Sequence, residues 1–171
     1  MAGGRASVAM TPEEIDEFLG SEMKVQVASL GRDGHPHLTT LFYALVDGRI
    51  AFWTYASSQK IKNLQRDPRV SALVETGTDY NELRGVSIKG TAEVLTDPDR
   101  IREVGRRVVS VMSGGEDLGE LGDAIVEHQV SKRYAVVITP EKVASWDHRK
   151  LNSLPGQAAV EAAATDNAHK E

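Results

Sequence analysis

The sequence predicts a mainly β domain, a small antiparallel barrel of about six strands with helices on its outside. Three observations lead there. Apolar and polar residues alternate with a period of two in "KVQVASL" and again through Val86, Ile88, Ala92 and Val94. Turn chemistry such as Asp47-Gly48 separates these runs, as in a β-hairpin. The first three strands also follow one another without a stretch long enough for a crossover helix, which a parallel sheet would require.

In chain order, Thr11, Pro12 and Glu14 have the spacing of a capped helix start, with Ile15, Phe18 and Leu19 on one face before Gly20. Lys24 to Leu30 reads as a strand, "GRDGHP" as a turn and "HLTTLFYALV" as one long second strand. "RIAFWTY" is the third. Ala56, Ser57 and Ser58 break it, and a short helix follows with Ile61 and Leu64 on one face and Pro68 beyond its end. Val70 to Glu75 and Val86 to Leu95 are further strands. Asp97 and Pro98 start a helix carrying Ile101, Val104, Val108 and Met112 at helical spacing, and after "SGGEDLGELG" Leu118, Leu121 and Ile125 suggest another. "YAVVIT" and "KVASWD" are two last strands on either side of Pro140.

The 171 residues are 40% apolar and 26% charged, which suits one folded domain with a real core. A net charge of -5 argues against broad binding to nucleic acid or acidic membranes. The absence of cysteine excludes disulfides, thiolate metal sites and cysteine nucleophiles. With no signal-peptide pattern and no run of 18 apolar residues, a cytoplasmic protein is expected. Residues 1–10 are read as a flexible N-terminus, 11–150 as the barrel domain and 151–171 as a flexible tail whose only large apolar residue after Pro155 is Val160.

The chemistry concentrates in "IAFWTYASSQKIKNLQRDPRV". Lys60 and Lys62 occupy the first turn of the short helix, where the backbone dipoles favour a carboxylate by about 0.3–1 kcal/mol. Hydroxyls at Thr54, Tyr55, Ser57 and Ser58, helix-start amides, and Lys60 with Asn63 three residues on are the ingredients of a phosphate site. The same residues also suit a plain helix, with a capping serine and solvated lysines. On the second strand His37 and Thr39 share a face and could hydrogen-bond a planar ligand, or face solvent or a second subunit. Trp53 and Trp146 suit either ring stacking or the core. The five histidines have no metal-ligand spacing, and G-x-S-x-G, Walker A and G-x-G-x-x-G motifs are absent.

The run "LGRDGHPHLTTLFYALVDGRIAFWTYASSQKIKNLQRDPRVSALVE" resembles the pyridoxamine 5'-phosphate oxidase-like, FMN-binding split β-barrel superfamily. Within it the chain looks most like the actinobacterial flavin/deazaflavin oxidoreductases of the B branch, which use coenzyme F420. The resemblance covers about residues 11–150 and is most specific at "SQKIKNLQRDPRV". It implies a six- to seven-stranded antiparallel split β-barrel, and a homodimer with cofactor grooves at the subunit interface. It places Lys60 on the cofactor phosphate, helped by Ser57, Ser58 and Asn63, and puts His37, Thr39, Thr40, Trp53, Thr54 and Tyr55 along the ring and ribityl chain.

The vitamin oxidases carry basic residues on the second strand; here it reads "HLTTLFYAL", so the resemblance favours the deazaflavin over FMN. The implied activity is hydride transfer between coenzyme F420 and a small conjugated organic substrate. The cofactor supplies the reactive centre and the protein supplies orientation. Tyr43, His37 and His148 are candidate proton donors, and no catalytic residue is assigned among them. The alternatives are an FMN-dependent oxidase or reductase of the same fold and a non-catalytic protein that binds coenzyme F420 or haem.

Overall fold

The computed structural model describes residues 8–153. They run α1 (Pro12–Ser21), β1 (Lys24–Leu30), β2 (Pro36–Phe42), β3 (Ala44–Val46), β4 (Arg49–Tyr55), α2 (Gln59–Arg66), β5 (Arg69–Thr76), β6 (Arg84–Leu95), α3 (Pro98–Met112), α4 (Gly119–Val130) and β7 (Arg133–Asp147). Short 3-10 turns occupy Tyr80–Glu82 and His148–Ser153. The expected tail lies outside the described residues except for 151–153. At the other end, Val8 and Met10 are buried: Asp147 N–H donates to Val8 O at 2.7 Å, and Met10 N–H donates to Ser145 Oγ at 3.1 Å.

The seven strands form one antiparallel sheet in the order β2-β1-β5-β6-β7-β4-β3. Its two edge strands are consecutive in the chain, separated only by Tyr43. The sheet therefore curls until its edges meet at that residue, which makes the split barrel. This corrects the reading of one long second strand. β2 follows β1 while β3 follows β4, and a single straight strand cannot track both once they diverge. Tyr43 fixes the break: its N–H donates to Met23 O at 3.1 Å and its hydroxyl donates to Leu19 O at 2.6 Å. Burial, and secondly the Glu22 carboxylate, raise its phenol well above its ordinary pKa.

The two last strands are in fact one, β7. Pro140 has no N–H to give a ladder, so the register shifts there: Gly90 pairs with Pro140 and Lys89 with Lys142, leaving Glu141 as the extra residue of a bulge. Gly90 is required at this point, because a Cβ would lie 2.1 Å from Thr139 O. In α4 the expected face is also corrected. Gly122 and Val126 are buried, whereas Leu121 is 64% exposed and Ile125 41%. Apolar residues fill two adjacent stripes of this helix, and α3 covers the one through Val126. Met112, at the end of α3, is likewise exposed.

Two apolar clusters result. Val25, Val27, Phe52, Val74, Val86 and Ile138 fill the barrel, closed by Phe18 and Leu19 of α1 and by Ile61 and Leu64 of α2. On the outside, Val104, Val108 and Val126 from α3 and α4 cover Val46, Trp53 and Val137. The placement of α2 matters for function, since packing Ile61 and Leu64 into the barrel fixes where Lys60 stands. Among the described residues no helix is long and apolar enough to cross a membrane, and no cluster of three His, Asp or Glu side chains gathers as metal ligands.

Candidate functional site

β4 ends at Tyr55 where the chain turns, with Ser58 N–H donating to Tyr55 O at 3.0 Å and Ala56 N–H to Lys132 O at 3.0 Å. Ser58 takes the N-cap position of α2 with extended backbone (φ -66°, ψ 152°), and its carbonyl accepts from Lys62 N–H at 3.3 Å. Its side chain caps nothing. Ser58 Oγ is buried without a hydrogen-bond partner, and the first turn of α2 holds no acidic residue. A buried hydroxyl left unpaired costs about 1–3 kcal/mol, so a ligand that supplies an acceptor would recover it. Ser57 beside it is exposed, as is Lys62.

Lys60 is half-buried and bends back along β4, where Nζ donates to Thr54 Oγ1 at 3.2 Å. An ammonium has three donors; this one meets one hydroxyl, and among the described residues no carboxylate pairs with it. Burial, and after it the charge of Arg133, lower the Lys60 pKa. Both causes would be offset by an anion.

The resemblance puts Asn63 on the phosphate, whereas the structure buries it completely and engages it with other side chains. Its Oδ1 accepts from Gln59 Nε2 at 2.8 Å and from both terminal nitrogens of Arg66 at 3.4 Å. Its Nδ2 donates to Ser29 Oγ at 3.2 Å, and Arg66 also donates to Leu30 O. Asn63 thus ties α2 to β1. Ser29 lies opposite His37 in the ladder, and Val27 lies opposite Thr39. On β2, His37 Nδ1 and Thr39 Oγ1 are buried and unpartnered, while Thr40 points to the other, exposed face. No hydrogen bond among the described residues joins these three to Lys60, and α2 is the link between the two groups.

Trp53 and Tyr55 project outward from β4. Trp53 lies under α3 so close to Gly105 that a Cβ there would be 2.7 Å from its Cζ3. Tyr55 is 52% exposed. Between them sits Arg133, its guanidinium 4.9 Å from the Trp53 ring centroid and 4.4 Å from that of Tyr55, with Nε donating to Gln129 Oε1 at 2.9 Å. Sequence reasoning missed Arg133, because only the β4–β7 register places it opposite Tyr55. Of the candidate proton donors, Tyr43 is committed to Leu19, and His148 Nδ1 lies 2.8 Å from Tyr80 O; His37 keeps a free ring nitrogen.

The family model described as pyridoxamine 5'-phosphate oxidase matches residues 11–147. The chain belongs to that family. Among solved structures it is similar to a conserved hypothetical protein from Mycobacterium tuberculosis, with 43% identity, a TM-score of 0.82 and coverage of 88% of this chain and 92% of that one. It is also similar to an F420 reductase (19% identity, TM-score 0.58, 78% of this chain and 98% of that one). A third likeness is to the haem storage protein HutZ of Vibrio cholerae (16%, TM-score 0.56, 78% and 94%). The last two are likenesses of fold. No curated protein matches the chain.

Members of this fold family bind flavin-type cofactors. The residues here fit the phosphate of such a group: a half-buried ammonium without a carboxylate, an orphaned hydroxyl and the acid-free start of a helix. The orphaned polar atoms of His37 and Thr39 fit the polar edge of a planar ring.

Proposed function

We propose that this chain is an oxidoreductase that uses coenzyme F420 to transfer a hydride to or from a small conjugated organic substrate. The observation that carries the reading is Lys60, uncompensated and half-buried beside the unpartnered Ser58 hydroxyl. When bound, the deazaflavin supplies the hydride chemistry. Lys60, Ser58 and Ser57 hold the phosphate, and Thr54 orients the Lys60 ammonium. His37 Nδ1 and Thr39 Oγ1 hydrogen-bond the ring, with His37 the side chain able to pass a proton. FMN is the rival cofactor; β2, "PHLTTLF", offers no Arg or Lys to a second phosphate contact, which favours the deazaflavin.

The proposal includes a homodimer. Its support is the outer face of the sheet, where Leu38 is 66% exposed and Gln26 Oε1 is buried without a partner, in a depression they share with Leu73 and Trp146. A second copy covering this face would bury the apolar surface. Parallel titrations of the apoprotein with the deazaflavin and with FMN, read by fluorescence, test the cofactor: tighter deazaflavin binding is expected, and comparable or tighter FMN binding contradicts it. Sedimentation at micromolar concentration tests the dimer, and a monomer with full cofactor affinity contradicts that part.

A further inference from the structure

A second hollow, sharing no lining residue with the Lys60 and Ser58 group, opens where residues 8–10, α1 and the last residues of β7 meet. Its volume is about 760 Å³, the size of a small-molecule site. Met10, Ile15, Val143 and Leu151 give it apolar walls, and Tyr80 and Trp146 add two aromatic rings. Trp146 stands between this cleft and the depression on the outer face of the sheet. Its ring lies so close over Gly85 that a Cβ there would be 2.2 Å from Cζ2, which fixes the ring in place.

His148 and Ser145 line the same cleft, and each has one bond made and one left over. His148 Nδ1 lies 2.8 Å from Tyr80 O. A carbonyl only accepts, so Nδ1 carries the proton, and the neutral imidazole presents Nε2 as an acceptor. Nε2 has no partner among the described residues. The ring is held by its backbone as well, His148 N–H donating to Leu83 O at 2.9 Å, and by Tyr80, whose ring centroid is 4.6 Å away. Ser145 Oγ accepts from Met10 N–H at 3.1 Å, while its own proton meets no acceptor among the described residues. The cleft therefore offers a fixed acceptor and a free donor.

It offers no charge. None of its lining side chains is a carboxylate, an ammonium or a guanidinium. The charged residues next to them in sequence are matched to one another: Lys150 with Glu14 at 2.6 Å, and Arg149 with Asp147 at 2.6 Å. An ion entering here would lose its water without gaining a counter-charge. A neutral aromatic molecule loses little, and its ring gains Tyr80, Trp146 and the Met10 thioether.

We propose that this cleft is a second binding site, for a neutral hydroxyaromatic molecule whose hydroxyl donates to His148 Nε2 and accepts from Ser145 Oγ. It selects against the anions that the Lys60 site suits, and it does not depend on the assignment of Lys60 to a phosphate.

The test uses three probes on one ring system: 2-naphthol, naphthalene, which lacks the hydroxyl, and the anion 2-naphthoate. Each is titrated by calorimetry into the full chain as wild type, His148→Asn, Ser145→Ala, Ala9→Trp and Lys60→Ala. Wild type is expected to bind 2-naphthol about tenfold more tightly than naphthalene, the scale of one or two neutral hydrogen bonds, and 2-naphthoate most weakly. His148→Asn keeps a side-chain donor for Tyr80 O but deletes Nε2, so the advantage of the hydroxyl should disappear while naphthalene affinity stays within about twofold. Ser145→Ala should remove part of that advantage, and it gives an independent reading should His148→Asn fail to fold. Ala9 is an exposed residue of the cleft, and Ala9→Trp should weaken both neutral probes by filling the space. Lys60→Ala should leave both neutral probes unchanged. Equal affinity for 2-naphthol and naphthalene in wild type overturns the proposal, as does a hydroxyl advantage that survives His148→Asn or Ser145→Ala. Binding untouched by Ala9→Trp, or lost in Lys60→Ala, places the probe elsewhere and overturns it too. Absence of binding, or binding that weakens as protein concentration rises, means that the cleft is closed or covered by a second copy, and the proposal falls.

Discussion

Replacing Ser58 by alanine separates a ligand-binding serine from a helix cap by the sign of its effect. A side chain that caps a helix costs about 0.5–2 kcal/mol when removed. Ser58 holds the N-cap position of α2, yet its hydroxyl makes no capping bond and is buried without any partner. Removing an unpaired buried hydroxyl relieves a desolvation penalty of about 1–3 kcal/mol, less whatever contact the oxygen makes with its neighbours. The apoprotein of Ser58→Ala is therefore expected to be more stable by about 1 kcal/mol, a rise in Tm of roughly 2–4 °C for a domain of this size. Cofactor affinity should move the other way, falling by about tenfold as a hydrogen bond to the phosphate is lost. Thermal melts of the apoprotein with titrations of the same samples read both effects. A less stable apoprotein with unchanged affinity would mean that the hydroxyl serves the helix, and the reasoning would be refuted.

Further predictions follow from packing and charge. Gly105→Ala places a Cβ 2.7 Å from Trp53 Cζ3; overpacking of about 1–3 kcal/mol outweighs the helix-propensity gain of about 1 kcal/mol, and denaturant unfolding should show a net loss. Hydrogen bonds from Arg149 lower the Asp147 pKa despite burial, so its ionised form stabilises the fold above the unfolded carboxylate value of about 3.9 and that contribution is lost as pH falls through the lower folded value. Acid unfolding of Asp147→Asn, which starts from lower stability, should depend less on pH in this range; an unchanged acid profile contradicts the assignment. Lys60 has the opposite linkage. Its pKa is lowered in the free protein and a bound phosphate raises it, so affinity is full while Lys60 is charged and declines as pH rises through the lowered value. Lys60→Arg, charged throughout, should bind without that alkaline decline, as titrations across neutral to alkaline pH would show.

Local features were legible in the sequence and partner-dependent ones were not. Thr11 and Glu14 form the expected capping box, with Thr11 N–H donating to Glu14 Oε2 at 2.7 Å, because every group involved lies within one turn. The Asp47-Gly48 hairpin is equally local, both residues having positive φ (50° and 71°). The break at Tyr43 was invisible, since "HLTTLFYALV" is good strand sequence throughout and only its two different partners bend it. At the site, Lys60 could be found because a lysine opposes the helix dipole. The burial of Asn63 and the sandwich around Arg133 depend on the α2–β1 and β4–β7 contacts, which no short-range pattern encodes.

The central claim is that the start of α2 holds the cofactor phosphate through Lys60. Its most direct test is the deazaflavin affinity of Lys60→Ala beside that of Lys62→Ala, two lysines in the same turn of which only the first is half-buried against Thr54. The account predicts a loss of about tenfold to hundredfold for Lys60→Ala, from a charge-assisted bond of roughly 1.5–3 kcal/mol, and an apoprotein as stable as wild type or slightly steadier. Lys62→Ala should bind within about twofold of wild type, as expected of a solvated charge. Equal, small effects of the two substitutions on affinity would contradict the claim.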